Sequence, residues 1–142
     1  MKKFFVVLLS LVCLMSFTSC DPKISPEQQA KLIVEAQQVM STVMSGKYDD
    51  KFTPSESFDG NTFKASMVLK EAITLDNGIK LEKFVMEASG TETFVSESIT
   101  IVWVSKIDSK KHELKVSASG DPSTEVIDQS AKLDGHSVDI TL

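Results

Sequence analysis

Arginine is absent from this chain: its 15 basic residues are all lysine, and 20 acidic residues outnumber them. Arginine supplies the planar, two-pronged hydrogen bonds that recognise phosphates, carboxylates and base edges. Binding a nucleic-acid backbone also requires an excess of positive charge, whereas this chain has a net charge of −5. We therefore expect no nucleic-acid partner, and anionic ligands and anionic membrane surfaces are disfavoured as well.

Cysteine is scarce too, because the chain has only Cys13 and Cys20. Cys13 lies in an apolar stretch near the start, so removal of that stretch would leave Cys20 alone. A single cysteine cannot form an internal disulfide or a cysteine-based zinc site. The folded part must therefore be held together by packing, and we expect no metal and no cofactor.

Long apolar runs are missing except for one short run near the start. Residues 4–15 are apolar apart from Ser10, follow two lysines, and precede small polar residues. Twelve residues form a helix of roughly 18 Å, against a hydrocarbon core of roughly 30 Å. The pattern predicts a secretory signal over residues 1–19 rather than a membrane-spanning helix.

The segment Phe17-Thr18-Ser19-Cys20 resembles the lipobox of bacterial lipoproteins, and its continuation into Asp21 is similar to small lipoproteins of the Bacteroides group. Phe17 departs from the strict pattern, which prefers leucine or another aliphatic residue. The resemblance implies removal of residues 1–19 and attachment of fatty acyl (palmitate-type) chains to Cys20, which would anchor the protein in a membrane. The alternative is ordinary signal cleavage at 18–19, which would release a soluble protein.

The residues after Cys20 bear on location and on the length of the tether. Asp21 resembles an inner-membrane retention signal of enterobacteria, whereas in the Bacteroides group an acidic residue there is compatible with outer-membrane or surface delivery. We expect the protein to be located in the cell envelope, at the outer membrane. The sequence does not distinguish the periplasmic face of that membrane from the surface face. Residues 20–24 are predicted to be the anchor and a short linker, in which 21–24 span at most about 14 Å. Residues 25–142 are predicted to form a single domain.

A helix is predicted from Ser25 to about Ser45. Ser25 can cap its start, Pro26 suits the first helical position, and Gln28 completes a capping box. Gly46 supplies a left-handed stop. The positions that recur at the helical period are Gln29, Leu32, Ile33, Ala36, Val39, Met40, Val43 and Met44. Because all but the first are apolar, the helix is predicted to be amphipathic.

Residues 47–62 are polar and are predicted to form a long loop, pinned by Phe52 and Phe58. From residue 62 onward the apolar period changes to two, which predicts strands. A helix through 65–75 also fits the pattern. The Asp76-Asn77-Gly78 sequence favours the strand, because Asn-Gly between apolar runs marks a hairpin.

The later strands are predicted over 79–88, 94–107, 112–118, 126–133 and 138–142, with turns at 89–90, 108–111, 120–123 and 134–135. Burial on both faces predicts a central position for the strand that contains Trp103. The order predicts an α+β fold, with an N-terminal amphipathic helix packed on an antiparallel meander sheet of five or six strands. It is similar to a cystatin-like roll, and a small β-barrel is the alternative.

Few residues suit catalysis or metal binding. His112 shares the parity of its apolar neighbours and is interpreted as a residue at the edge of the core, whereas His136 follows a turn. A metal site built from Asp134, His136 and Asp139 is disfavoured, because His136 and Asp139 fall on opposite faces of a strand. The chain contains no nucleophile motif and no phosphate-binding loop. We therefore predict a protein that is not an enzyme.

Four methionines are the remaining candidates for a site. Met40 and Met44 lie on the helical stripe, and Met67 and Met86 lie on predicted strands. Flexible thioethers there could line an adaptable apolar pocket, although core filling is the simpler interpretation. We predict a membrane-anchored envelope lipoprotein that serves as a structural or protein-interaction module for an unknown envelope protein. The alternative is a binding protein for a small apolar ligand or lipid, and an enzyme or an inhibitor that presents its long loop is a third hypothesis.

Overall fold

The computed structural model describes residues 25–138, which contain one helix, one 3-10 turn and eight strands. The helix α1 spans Pro26–Met44, and the 3-10 turn spans Asp49–Lys51. The strands are β1 (Phe52–Asp59), β2 (Thr62–Leu69), β3 (Ile73–Thr74), β4 (Lys80–Gly90), β5 (Val95–Val104), β6 (Lys111–Asp121), β7 (Val126–Leu133) and β8 (His136–Val138). The predicted signal, the lipidation site Cys20, the linker and the chain from Asp139 onward lie outside the described residues.

The start and end of α1 follow the sequence prediction in all but one detail. The Ser25 hydroxyl accepts a hydrogen bond from the Gln28 backbone N–H at 3.1 Å, with Pro26 at the first helical position. Gly46 has a φ of +86°, which is the left-handed stop. The Gln28 side chain is the exception, because it donates to Asp108 at 3.2 Å instead of closing the predicted capping box.

The buried face of α1 differs from the predicted stripe at two positions. The buried residues are Gln29, Leu32, Ile33, Glu35, Ala36, Val39, Met40 and Val43. Met44 was expected in this set but is 36% exposed, and Glu35, which the stripe omits, is 7% exposed. A charged residue therefore lies on the face that packs against the sheet.

The strands form one open antiparallel sheet in the order β1-β2-β4-β5-β6-β7-β8, with β3 paired to β4. The α+β class is thus confirmed, but the sheet has more strands than the predicted five or six. The small β-barrel alternative is wrong for the described residues, because the strand path is open and ends at β1 and β8. The edge strand β1 contains Pro54 and Glu56, which discourage pairing with another sheet.

Several predicted element boundaries are wrong. The predicted loop at 47–62 contains the 3-10 turn and the whole of β1. Within it Phe52 is buried, but Phe58 is 73% exposed. The predicted turn at 89–90 is the end of β4, and the turn itself lies at 91–94.

Other local predictions are confirmed. Residues 62–69 are strand rather than helix, and β7 spans the predicted 126–133. Gly78 has a φ of +84° and its N–H donates to the Leu75 carbonyl at 2.8 Å, which closes the predicted hairpin turn. Asp134 and Gly135 both have positive φ, as a two-residue hairpin turn requires.

The helix crosses the sheet near one end of its strands. Contacts from its first turn to Asp108, and from Tyr48 just beyond it to Asp76, mark the two sides of this crossing. We call this the helix end of the sheet. It includes the segment 70–79, which contains β3, the loop at 105–110 and the turn at 134–135. The opposite end, with turns at 60–61, 91–94 and 122–125, is called the far end.

Apolar residues of α1 and of the sheet face that it covers form the core. Trp103, Phe84, Leu81 and Ile101 are fully buried in it. The other face of the sheet, called here the open face, carries mostly polar side chains. Among the described residues, no helix combines the length and the apolar character needed to cross a bilayer.

Candidate functional site

A buried carboxylate joins α1 to the end of β5. Glu35 Oε2 accepts a hydrogen bond from Trp103 Nε1 at 2.9 Å. Its Oε1 accepts from the Ser105 hydroxyl at 3.2 Å and from the Lys106 backbone N–H at 3.1 Å. The Ser105 hydroxyl in turn accepts from the Ile107 N–H at 2.9 Å. A buried carboxylate is costly unless it is hydrogen-bonded, so these three donors are what allow Glu35 to sit at the helix–sheet junction.

A second polar cluster surrounds His112, which is 8% exposed on β6. Its Nδ1 lies 2.5 Å from Asp134 Oδ2, and its Nε2 lies 3.0 Å from Asp108 Oδ2. The other oxygen of Asp134 accepts from the Glu113 backbone N–H at 2.8 Å. Because Asp108 and Asp134 belong to different turns, His112 ties the loop after β5 to the turn between β7 and β8.

The charges of this cluster reinforce one another. Burial alone would lower the pKa of His112, but hydrogen bonds to Asp134 and Asp108, together with their charges, raise that pKa above its usual 6.5. Burial opposes the charged form of Asp108 as well. The Lys110 backbone N–H and His112 outweigh it and hold the pKa of Asp108 below 3.8. At pH values between the folded pKa of Asp108 and that of His112, both groups are charged, and the cluster is an ion-pair network.

The two clusters form one continuous junction. The ring centroids of Trp103 and His112 are 6.0 Å apart, and Gln28 connects the first turn of α1 to Asp108. Both ring nitrogens of His112 face carboxylates, and both oxygens of Glu35 face donors. These groups therefore hold one another, and they connect α1 to the sheet in addition to its apolar packing.

Among residues 25–138, no group of three or more His, Cys, Asp or Glu side chains is arranged to hold a metal ion. Asp134, one member of the combination considered from the sequence, is bound to His112. His136 begins β8. The third member, Asp139, lies outside the described residues.

The four candidate methionines do not form one set. Met40 and Met86 are fully buried members of the core. Met67 is the register partner of Met86 and packs against that core. Met44 stands apart at 36% exposure.

The open face of the sheet carries a groove of about 450 Å³ that the sequence analysis missed. Its hydroxyl groups are those of Ser55, Ser57, Ser66, Ser89, Ser96 and Ser98, and its charged groups are those of Lys64 and Glu87. Serines at alternate positions of β1 and of β5 were the available signal, because alternate side chains share one face of a sheet. The groove offers hydrogen bonds and both signs of charge.

Comparison with known proteins identifies no relative. No family model matches the chain, and neither a curated protein nor a solved structure matches it. Function is therefore inferred from the residues of this chain alone.

Proposed function

We propose that the mature protein is an envelope lipoprotein, held at the outer membrane by a lipid on Cys20, whose folded domain acts through contacts with another envelope protein rather than through catalysis. The observation that carries the proposal is the sequence Ser19-Cys20 after a lysine pair and a short apolar run. This arrangement resembles the signal and lipobox of bacterial lipoproteins. More than one acyl chain on the cysteine makes such an anchor stable.

The short distance between Cys20 and the fold supports this proposal. The cap residue Ser25 follows Cys20 by five positions, and the first turn of α1 is bonded to the loop at 105–110. Exposed Lys106 and Lys110 lie in that loop. The net negative charge disfavours anionic surfaces for the chain as a whole, but lysines near anionic head groups contribute about 1 kcal/mol each, so these two would make the helix end the side that faces the membrane.

Two of the buried ionisable groups, Glu35 and His112, support a role in interaction rather than in chemistry. Glu35 and His112 are occupied by hydrogen bonds that fix the helix on the sheet. A general base must be able to reach the proton that it removes from a substrate. Both groups instead serve the position of α1.

Exchange of Cys20 tests the anchor directly. We expect Cys20→Ala to move the protein from the membrane fraction to the soluble fraction and to abolish labelling with a fatty-acid analogue, because the acyl chains supply the membrane affinity. Cys13→Ala is the matched control, since this cysteine lies in the apolar run, and it should stay labelled and membrane-bound. A Cys20→Ala protein that remains in the membrane fraction would refute the proposal.

A further inference from the structure

Half of the exposed large apolar side chains of the described residues belong to the far end of the sheet. Phe58 is 73% exposed, Phe94 51%, Val126 63% and Ile127 40%. They belong to three hairpins: β1–β2, β4–β5 and β6–β7. Single exposed apolar residues are ordinary, whereas a group from several elements marks an interaction surface.

The strand register places two of these residues, Phe58 and Ile127, at the two ends of one row on the helix-side face of the sheet. Successive partners across six strands are Phe58, Phe63, Gly90, Val95, Gly120 and Ile127. The Phe58 and Phe63 rings stack with centroids 6.4 Å apart. With strands about 4.8 Å apart, the row extends over about 24 Å. That length accommodates an extended segment of about seven residues.

Two glycines, which have no side chains, occupy the middle of this row. A Cβ on Gly90 would lie 2.4 Å from the Phe94 carbonyl oxygen, and one on Gly120 would lie 2.2 Å from the Val126 carbonyl oxygen. Neither position has room for a side chain. The row, called here the trough, therefore has no side chain at these two positions, with the stacked phenylalanines at one side and Ile127 at the other.

The surroundings of the trough are acidic. The acidic residues at this end are Glu56, Asp59, Glu92, Asp121, Glu125 and Asp128, whereas Lys64 on β2 is a basic residue of the same end. Within residues 25–138 none of these carboxylates forms an ion pair with a lysine. The negative charge is thus left for a partner to neutralise.

We propose that the far-end trough binds a segment of a partner protein in which apolar side chains alternate with lysine or arginine. This inference rests on the proposed interaction function and specifies the chemistry of its partner. Aromatic side chains are enriched in protein interfaces, and a negative rim selects a positive segment and speeds its encounter.

The same observations disfavour the two other occupants. An acidic rim repels anionic lipids, and β5 separates the trough from the start of α1 by roughly 33 Å. A second copy of the chain would bring two acidic rims together, which costs free energy through like-charge repulsion.

Two synthetic peptides of about seven residues test the proposal: one alternates leucine and phenylalanine with lysine, and the other has glutamate in place of each lysine. The full lipidated chain is held in nanodiscs of zwitterionic lipid, with empty nanodiscs as the blank. We expect the lysine peptide to bind above the blank and to bind less tightly as salt rises from about 50 to 500 mM. The glutamate peptide should not bind. Equal binding of the two peptides, or none of either, would overturn the proposal.

Substitutions locate the binding site. Phe58→Ser combined with Phe94→Ser should weaken lysine-peptide binding by at least about tenfold, because exposed aromatic anchors carry much of an interface's affinity. The matched control combines Val34→Ser with Ile107→Ser, which are exposed apolar positions elsewhere. This control should bind like the parent chain. Circular dichroism of both variants verifies the fold, and equal losses in both would contradict the proposal.

Charge reversal tests the acidic rim. Glu92→Lys should weaken binding of the lysine peptide and strengthen binding of the glutamate peptide, whereas Glu71→Lys at the helix end should change neither. If the chain binds nanodiscs of anionic lipid more tightly than nanodiscs of zwitterionic lipid, and the Phe58→Ser, Phe94→Ser variant loses this difference, the trough would be assigned to the membrane. That result would overturn the proposal. A dimer that dissociates in the Phe58→Ser, Phe94→Ser variant would likewise assign it to a second copy.

The anchor and the trough fail separately in this design. If the Cys20→Ala chain stays in the membrane fraction and binds the lysine peptide normally, the lipid anchor is refuted. The proposal for the trough is then unaffected. A properly anchored chain that ignores both peptides would refute the trough alone.

Discussion

At the scale of single residues, Glu35 links the helix to the sheet through three hydrogen bonds. It lies one position from the apolar stripe of α1, and its charge would ordinarily place it in solvent. Instead it receives three hydrogen bonds from the end of β5 and the loop that follows. Periodicity in the sequence could not identify it, because its partners are about 70 positions away and are brought to it by the sheet.

Glu35→Gln should lower the free energy of unfolding by about 2 kcal/mol, since an amide replaces one acceptor oxygen with a donor that faces other donors. The urea midpoint of the full chain measures this change. Glu27→Gln is the control on the same helix: Glu27 is exposed and pairs only with Lys31 on the surface. It should change stability by less than about 0.5 kcal/mol, and equal effects of the two variants would contradict the role given to Glu35.

His112 makes stability depend on pH. Its pKa is raised in the fold, so its contribution is complete below the unfolded value of about 6.5 and is lost as pH rises through the folded pKa. The lowered pKa of Asp108 acts in the opposite direction, because its contribution is present above about 3.8 and is lost as pH falls through its folded pKa. Stability should therefore be highest between about pH 3.8 and pH 6.5, where both contributions are complete.

Urea midpoints measured from about pH 5.5 to 9 should fall with rising pH in the parent chain, because His112 loses its proton. His112→Gln keeps hydrogen-bonding capacity without the charge and should remove most of that slope. His136→Gln, at the start of β8, should retain it. A His112→Gln chain with the parent's pH slope would show that another group is responsible.

At the scale of elements, sequence patterns predicted the helix and the strands with strong alternation. The cap at Ser25, the hairpin turns at 76–78 and 134–135, and β7 all agree with the structure. The edge strand β1 was missed because it has almost no buried residues: only Phe52 among its eight faces the core. Backbone hydrogen bonds pair β1 with β2, and the periodicity of side chains gives no information about such bonds.

Glycine was misinterpreted in two strands for a related reason. Gly90 and Gly120 were taken as turn residues, but both lie inside strands where a neighbouring carbonyl leaves no room for a side chain. A glycine required by close approach cannot be distinguished by sequence from one required by a turn.

Gly120→Ala should destabilise the fold by about 1–3 kcal/mol, because its Cβ would meet the Val126 carbonyl oxygen and β7 would have to move. Ser119→Ala, the adjacent position on the open face, is the control and should be nearly neutral. Thermal unfolding of the full chain measures both. Equal midpoints for the two variants would mean that the strands adjust without cost.

At the scale of the whole molecule, the α+β class and the antiparallel helix-on-sheet arrangement could be predicted, but the strand number and the polar sites could not. The junction around Glu35 and His112 and the row from Phe58 to Ile127 each combine residues from several elements. Local patterns give the face on which a side chain lies. They do not give the neighbours that the sheet brings to it.

The crossing of α1 at one end of the sheet has a mechanical consequence. A partner held at the far end and a lipid on Cys20 would pull on the domain from opposite ends of its strands. The strands would carry this tension along their length, where many backbone hydrogen bonds share the load. The tension would reach the lipid through α1, so the apolar packing of α1 on the sheet, together with the bonds that Glu35 and Gln28 form, would determine the force at which the helix detaches.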